Sequence, residues 1–280
     1  MVFAMITWGY SWVGAKILGP YGHVSTKIFL RFFFASIALI PILLKYHIPF
    51  KIDKKGFMFI LWNSISLCSY NYFYFKSTHM GLAGVGGVLV TTLNPILTSL
   101  FVFSFLDKSS AKLKDFVGLI MGLTGGGIIM RLWEMDIALM ISSGNIFYIL
   151  ASCSWVSVTI ASQKSKTHIH FLTFSFWSFL SASLFSLSFC EIESISQTIN
   201  YDSIYWLNIF LLSIVVMSFA NTMYFFASSK IGAVKASSYI FVVPLTAIIF
   251  SKIILNEQVL YTTVLGGVLS VVAVYLINKK

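Results

Sequence analysis

Acidic residues are scarce in this chain. Nine Asp and Glu, with 19 Lys and Arg, leave 10% of its 280 positions charged, against roughly 25% in an ordinary soluble domain. So few polar groups cannot coat a water-facing body of 31.4 kDa with mean hydropathy +0.88, which excludes a soluble globule. With 58% of residues hydrophobic, intrinsic disorder is excluded as well. Cysteine is nearly missing: Cys68, Cys153 and Cys190 stand singly in apolar runs, so neither a disulfide framework nor a spaced zinc cluster is encoded. Strand-like alternation is missing too. Phe32-Phe33-Phe34 and Ile209-Phe210-Leu211-Leu212 are apolar all round, which argues against a transmembrane barrel.

What is present is a series of apolar runs. A membrane-crossing helix needs about 20 such residues, and the chain divides into spans near 2–18, 26–44, 56–75, 80–106, 113–131, 141–161, 169–190, 204–228, 234–255 and 259–277. Gly19-Pro20, Pro49, the run Lys51-Ile52-Asp53-Lys54-Lys55 and Asp107-Lys108-Ser109-Ser110 mark breaks. The first span has no preceding basic residue and no small-residue cleavage pattern, so it is expected to be a retained helix. With both termini inside, 13 of the 19 basic residues fall on inner connections, as cytoplasmic loops require. The expected location is therefore a cell membrane, crossed many times, with both termini cytoplasmic. The basic balance reports topology. No soluble segment is long enough to carry a nucleic-acid module.

The halves of the chain resemble each other. A shift of 149 residues sets Pro95 on Pro244, Asp107 on Asn256 and Gly118 on Gly267; a shift of 151 aligns 74–81 with 225–232; a shift of 147 pairs Trp8 with Trp155. Five spans per half is an odd number, so the second copy enters the lipid upside down, the arrangement most associated with alternating access. Trp8-Gly9-Tyr10-Ser11-Trp12, Arg31, the Gly81 to Pro95 helix and the repeat ending in Pro244 and Asn256-Glu257 resemble the EamA family of the drug/metabolite transporter superfamily. That resemblance implies an all-α membrane fold of ten helices, in two inverted five-helix repeats (1–131 and 141–280) around a central cavity. It also implies movement of small metabolites, often as export. One departure lies at the helix ends: the family usually closes both the fourth and the ninth helix with an acidic residue, and here Asp107-Lys108 stands in the first of these and Glu257 in the second.

Polar groups at membrane depth are default functional candidates. Thr91 falls on one face of the fourth span with Asn94 beside it, and Asn63 and Tyr70 share a face of the third with Ser66. Asn221 sits at similar depth in the eighth. An amide can hold a zwitterion or heterocycle without bringing charge into lipid; the competing role is interhelical hydrogen bonding. Trp8, Tyr10, Trp155, Trp177 and Tyr239 are the aromatic candidates for stacking on an organic substrate. Pro95 and Pro244 are expected to free the carbonyls of Thr91 and Ile240 and to act as helix breaks or gates, or else to be packing kinks. Lys16, Arg31 and Lys76, toward outer helix ends, are candidates for a charge cluster that attracts an anionic group or sits opposite Glu257, or else they reach to the headgroups along their stems. Gly118, Gly122 and 125–127, with Gly266-Gly267, read as close helix packing.

No carboxylate stands in the middle of a span, so an ion-coupling site of the usual kind is absent. Facilitated diffusion or exchange is the expected mode. The reading is a secondary transporter for a small organic metabolite or drug-like solute, amino-acid-like or nucleoside-like, with no metal, no cofactor and no catalytic residue. Its partners are the small-molecule substrate and the lipid bilayer, and a monomer and a homodimer are both compatible with the sequence. The alternatives are an integral membrane enzyme acting on lipid, for which the scattered histidines supply no catalytic set, and a helical channel.

Overall fold

The computed structural model describes residues 1–80, 83–106, 112–134, 145–256 and 261–278. All regular structure among them is helical. Helix α1 is Val2–Ile17, α2 Val24–Lys45, α3 Lys54–Met80, α4 Ala83–Phe101 and α5 Leu113–Met130. In the second half α6 is Asn145–Ser165, α7 Phe171–Leu187, α8 Ser203–Ile231, α9 Ala233–Leu255 and α10 Tyr261–Asn278. A π-helical turn, Val102–Leu106, extends α4. A short helix, Ile192–Gln197, leaves α7 at 115°.

Among the described residues, five stretches are long and apolar enough to cross a membrane by length and composition: Val24–Lys45, Gly87–Leu106, Ile146–Ser165, Ser203–Ile231 and Ala233–Leu255. Phe171–Leu187 with Ile192–Asn200 makes a sixth if the bent pair is one span. Helix α3 is the longest of the first half yet far more polar. It buries Asn63, Ser64, Ser66, Asn71, Ser77 and Thr78 against its neighbours, the placement that polar groups in lipid demand. The outward faces of α5 and α10 are apolar instead, with Ile120, Leu123, Val264, Leu265 and Val268 all exposed.

Local chemistry sets the ends. Asp53, immediately before α3, accepts the Gly56 N–H at 2.6 Å, and Asp202, before α8, accepts the Tyr205 N–H at 2.9 Å; each satisfies a donor left over in the first turn. The Tyr21 hydroxyl also donates to Asp202. Lys27 is buried, and its Nζ donates to the Leu18 carbonyl at 2.8 Å, placing a cation where the dipole of α1 ends. Gly232, at φ 88°, makes the break between α8 and α9, a conformation that side chains resist. Asn256 closes α9 in the left-handed region at φ 56°.

Helices pack as α5 along α10, α3 along α6, α2 along α7 and α1 along α9, with α4 against α6 and α9. Small residues permit the closest approaches. A Cβ on Gly125 would stand 2.7 Å from the Gly266 carbonyl oxygen, and one on Gly9 would stand 2.7 Å from the Ala247 backbone nitrogen.

Candidate functional site

Seven helices send side chains to one small cavity of about 30 Å³ at the centre of the bundle, room for a water or two. Most contribute at helical spacing. Trp8, Ser11 and Trp12 come from one face of α1, Tyr70 and Tyr74 from α3, Thr91 and Asn94 from α4, and Met217 and Asn221 from α8. Arg31 enters from α2, Trp155 from α6, and Ile240 and Val243 from α9. Wider spaces exist at the periphery. One of about 570 Å³ lies beside His23, Cys68 and Phe189, and one of about 470 Å³ is bordered by Lys164, Lys166 and Lys235.

The walls are largely aromatic. Trp8 and Trp155 meet edge to face with centroids 4.9 Å apart, and Tyr70 lies 4.8 Å from Trp155. Tyr74 lies 4.8 Å from Trp12, and its hydroxyl donates to the Ser11 carbonyl. The Trp8 indole N–H donates to Asn221 Oδ1 at 3.0 Å, while Asn221 Nδ2 faces the Met217 sulfur at 2.9 Å. Asn221 is thereby held by its neighbours. Asn94 is not: its Oδ1 is buried and has no hydrogen-bond partner.

Arg31 departs from the expectation that it reaches the headgroups. It is 3% exposed and lines the cavity. Its Nη1 donates to Asn71 Oδ1 at 2.9 Å, and its guanidinium lies 5.6 Å from the Tyr74 ring centre and 5.2 Å from that of Phe75. Asn71 Nδ2 donates to the Leu67 carbonyl at 2.9 Å, which turns its oxygen toward the arginine. Seven residues into α2, Arg31 stands about 10 Å along the axis from the helix start.

Of the other residues singled out from sequence, Trp8, Tyr70, Thr91, Asn94, Trp155 and Asn221 come together at the cavity. Tyr10 points elsewhere, donating to Asn208 at 2.8 Å and packing on Phe250. Asn63 is fully buried outside the cavity, with both ends of its amide unpartnered. Trp177 donates to the Phe50 carbonyl at 2.8 Å and fastens the connection before α3. Tyr239 borders a lateral groove with Val2, Val271 and Tyr275. Lys16 lies in the last turn of α1, and Lys76 packs over the Phe147 ring at 4.4 Å; neither lines the cavity with Arg31. Glu257 lies outside the described residues.

The two prolines differ locally. Pro95 is buried inside α4, where Thr91 folds its hydroxyl back onto the Gly87 carbonyl. Pro244 sits in the first turn of the α-helical part of α9, after a 3-10 turn over Tyr239–Val242. The Ile240 carbonyl expected to be freed by Pro244 accepts the Val243 N–H instead, because the tighter turn supplies an i+3 donor. Ser11, Trp12, Tyr74, Met217, Ile240 and Val243 were missed as lining residues. Trp12 and Tyr74 carried a usable signal: each lies four residues past a chosen aromatic, Trp8 and Tyr70, on the same helical face.

The EamA-like transporter family model matches residues 1–131 and again residues 142–279. The chain belongs to the EamA-like transporter family. This EamA-family chain is 26% identical over 213 residues to the uncharacterized transporter sll0355 of Synechocystis, a match covering 71% of this chain and 64% of that protein's length, just under two thirds. It is 23% identical over 276 residues to the uncharacterized transporter YoaV of Bacillus subtilis, covering 96% of this chain and 92% of YoaV. A crystal structure shares the fold, with TM-score 0.75 and 17% identity over 98% of this chain and 94% of that one. With its long apolar helices, the EamA-family chain is a multi-pass membrane protein.

Proposed function

We propose that this protein is a secondary transporter that carries a small organic solute through the central cavity by alternating access, as two inverted five-helix repeats rock against each other. The observation that carries the reading is the pairing of cavity residues across the chain. Trp8 and Trp155 are 147 residues apart, Thr91 and Ile240 149, Asn94 and Val243 149, and Tyr70 and Asn221 151, and all eight line one cavity. Those are the shifts that align the two halves in these same spans. Helix pairings support the same relation: α1 on α9 is matched by α6 on α4, and α2 on α8 by α7 on α3, while α5 on α10 and α2 on α7 exchange with themselves. A site at the interface of two inverted repeats is the arrangement expected of such carriers.

No described carboxylate lines the cavity, which favours facilitated diffusion or exchange over ion coupling. Export is the direction the family resemblance supports. In this proposal both termini face the cytoplasm and the protein sits in an inner or plasma membrane, a reading that the bias of basic residues toward alternate connections supports. Differential affinity of the two open states for solute sets the bias, and gradients supply the drive.

The test is flux in reconstituted liposomes across a panel of amino acids, nucleosides and organic acids. The expected result is saturable, countertransport-stimulated flux of one class, with half-saturation raised by Trp155→Ala while insertion is unchanged. Linear flux of every solute overturns the carrier reading. Tags at both termini should stay shielded in intact cells; one reachable from outside overturns the orientation.

A further inference from the structure

We infer that the solute carries a single planar anionic head, a carboxylate or its close equivalent, which docks on the Nε edge of Arg31 while a flat apolar body lies against Trp8 and Trp155. This inference rests on the transport reading and names the substrate class of the same cavity.

Arg31 is a permanent cation, 3% exposed, and no described carboxylate pairs with it. A buried charge without a counter-ion is unfavourable unless something completes it. The amide of Asn71 occupies Nη1, and rings flank the guanidinium, but Nε is buried without an acceptor. The Nε and Nη2 donors form the fork that matches the two oxygens of a carboxylate. Asn94 also lines this cavity and its buried Oδ1 has no partner; as an acceptor it suits a donor on the solute, not the anionic head.

The count of charges selects the head. Arg31 is the one cationic residue lining the cavity among the described residues. A monoanion neutralises it, whereas a phosphate dianion would leave a net negative charge enclosed by aromatic and aliphatic walls. The body is set by the apolar lining residues, of which the side chains of Ile240 and Val243 offer no hydrogen bond and the tryptophan pair offers ring faces and edges. At about 30 Å³ the cavity is too small for a ring-sized solute, so binding of the proposed solute requires the walls to part.

Full-length protein, purified and reconstituted, is tested with four probes of one ring size: phenylacetate, phenylacetamide, phenethylammonium and L-phenylalanine. Affinity is read by thermal stabilisation and by countertransport against protein-free liposomes. The expected result is that phenylacetate or L-phenylalanine binds roughly ten- to a hundredfold tighter than the amide and the ammonium. That preference disappears in Arg31→Gln, while weak phenylacetamide binding is unchanged. Comparison of the two carboxylates separates a simple acid from a zwitterion as the source of the head, and either one depending on Arg31 supports the inference. If Arg31→Gln does not fold, Arg31→Lys keeps the charge without the fork and should weaken the carboxylates but not the amide. Equal binding of amide and carboxylate, an Arg31 variant that leaves carboxylate affinity intact, or equal weakening of all probes overturns the inference. So does failure of all four probes to bind. In each of these cases saturable flux of any other panel solute leaves the carrier reading standing, and only unsaturable flux removes both.

Discussion

The two stretches that match the same family model build one cavity with different chemistry. From the first come Arg31, Tyr70, Tyr74, Thr91 and Asn94; at the positions aligned with Thr91 and Asn94 the second offers Ile240 and Val243. Arg31 aligns at a shift of 147 with Ser178 in α7, a buried hydroxyl that does not line the cavity. The two halves have thus diverged along one pair of wall helices, Thr91 and Asn94 of α4 standing where α9 has Ile240 and Val243, while Tyr70 of α3 aligns with the polar Asn221 of α8. Helix ends have changed less. Asp53 and Asp202, 149 residues apart, each accept an N–H three residues on, at the starts of α3 and α8.

The comparison breaks most visibly where the halves differ in packing. Gly9 of α1 aligns with Val156 of α6. Gly9→Ala drives a methyl into the backbone of α9 and should destabilise by about 3 kcal/mol, the upper end of overpacking. Val156→Ala removes two buried carbons and should cost about 1.5 kcal/mol. Melting temperatures in detergent check the order, and equal losses would mean that α1 on α9 is no tighter than α6 on α4.

The next contrast separates a held amide from an available one. Asn221→Ala strands the Trp8 indole N–H and should destabilise by about 1–3 kcal/mol. Asn94→Ala removes an oxygen that bonds nothing, so stability should move by less than about 0.5 kcal/mol while solute affinity falls. Thermal melts beside flux assays distinguish the two. Making the second wall resemble the first, with Ile240→Thr and Val243→Asn together, should leave the fold in place and raise the half-saturation concentration for an apolar-bodied solute by roughly tenfold.

The smallest expected effect concerns the helix start. The carboxyl of Asp202 is held below the ordinary range by hydrogen bonds from the Tyr205 N–H and the Tyr21 hydroxyl. A depressed native value stabilises above the unfolded one, near 4, and that stabilisation is lost as pH falls through the native value. Wild type should therefore melt higher than Asp202→Asn at neutral pH, and the two curves should converge in acid.

Much of this molecule was legible before its coordinates. Mid-span polar and aromatic side chains must turn inward or to a partner, and that rule found Trp8, Asn94, Trp155 and Asn221. It did not distinguish Tyr10 from Trp12, because in a helix apolar all round no polar stripe tells which face meets the bundle. The charge of Arg31 was plain, but its environment depended on Asn71 from α3, a tertiary neighbour 40 positions away. The turn into Ile192–Gln197 was hidden in the run after α7, although Glu191 and Glu193 mark it as leaving the apolar zone. Pro244 announced a break in α9 without specifying the 3-10 turn that supplies the donor.

The tightness of the central chamber has an electrical consequence. With space for a water or two, the chamber among the described residues cannot itself hold a file of water molecules or an ion with its hydration shell. A carrier of the proposed kind that rests in this form passes few ions, and many copies can then sit in a membrane without draining its gradients.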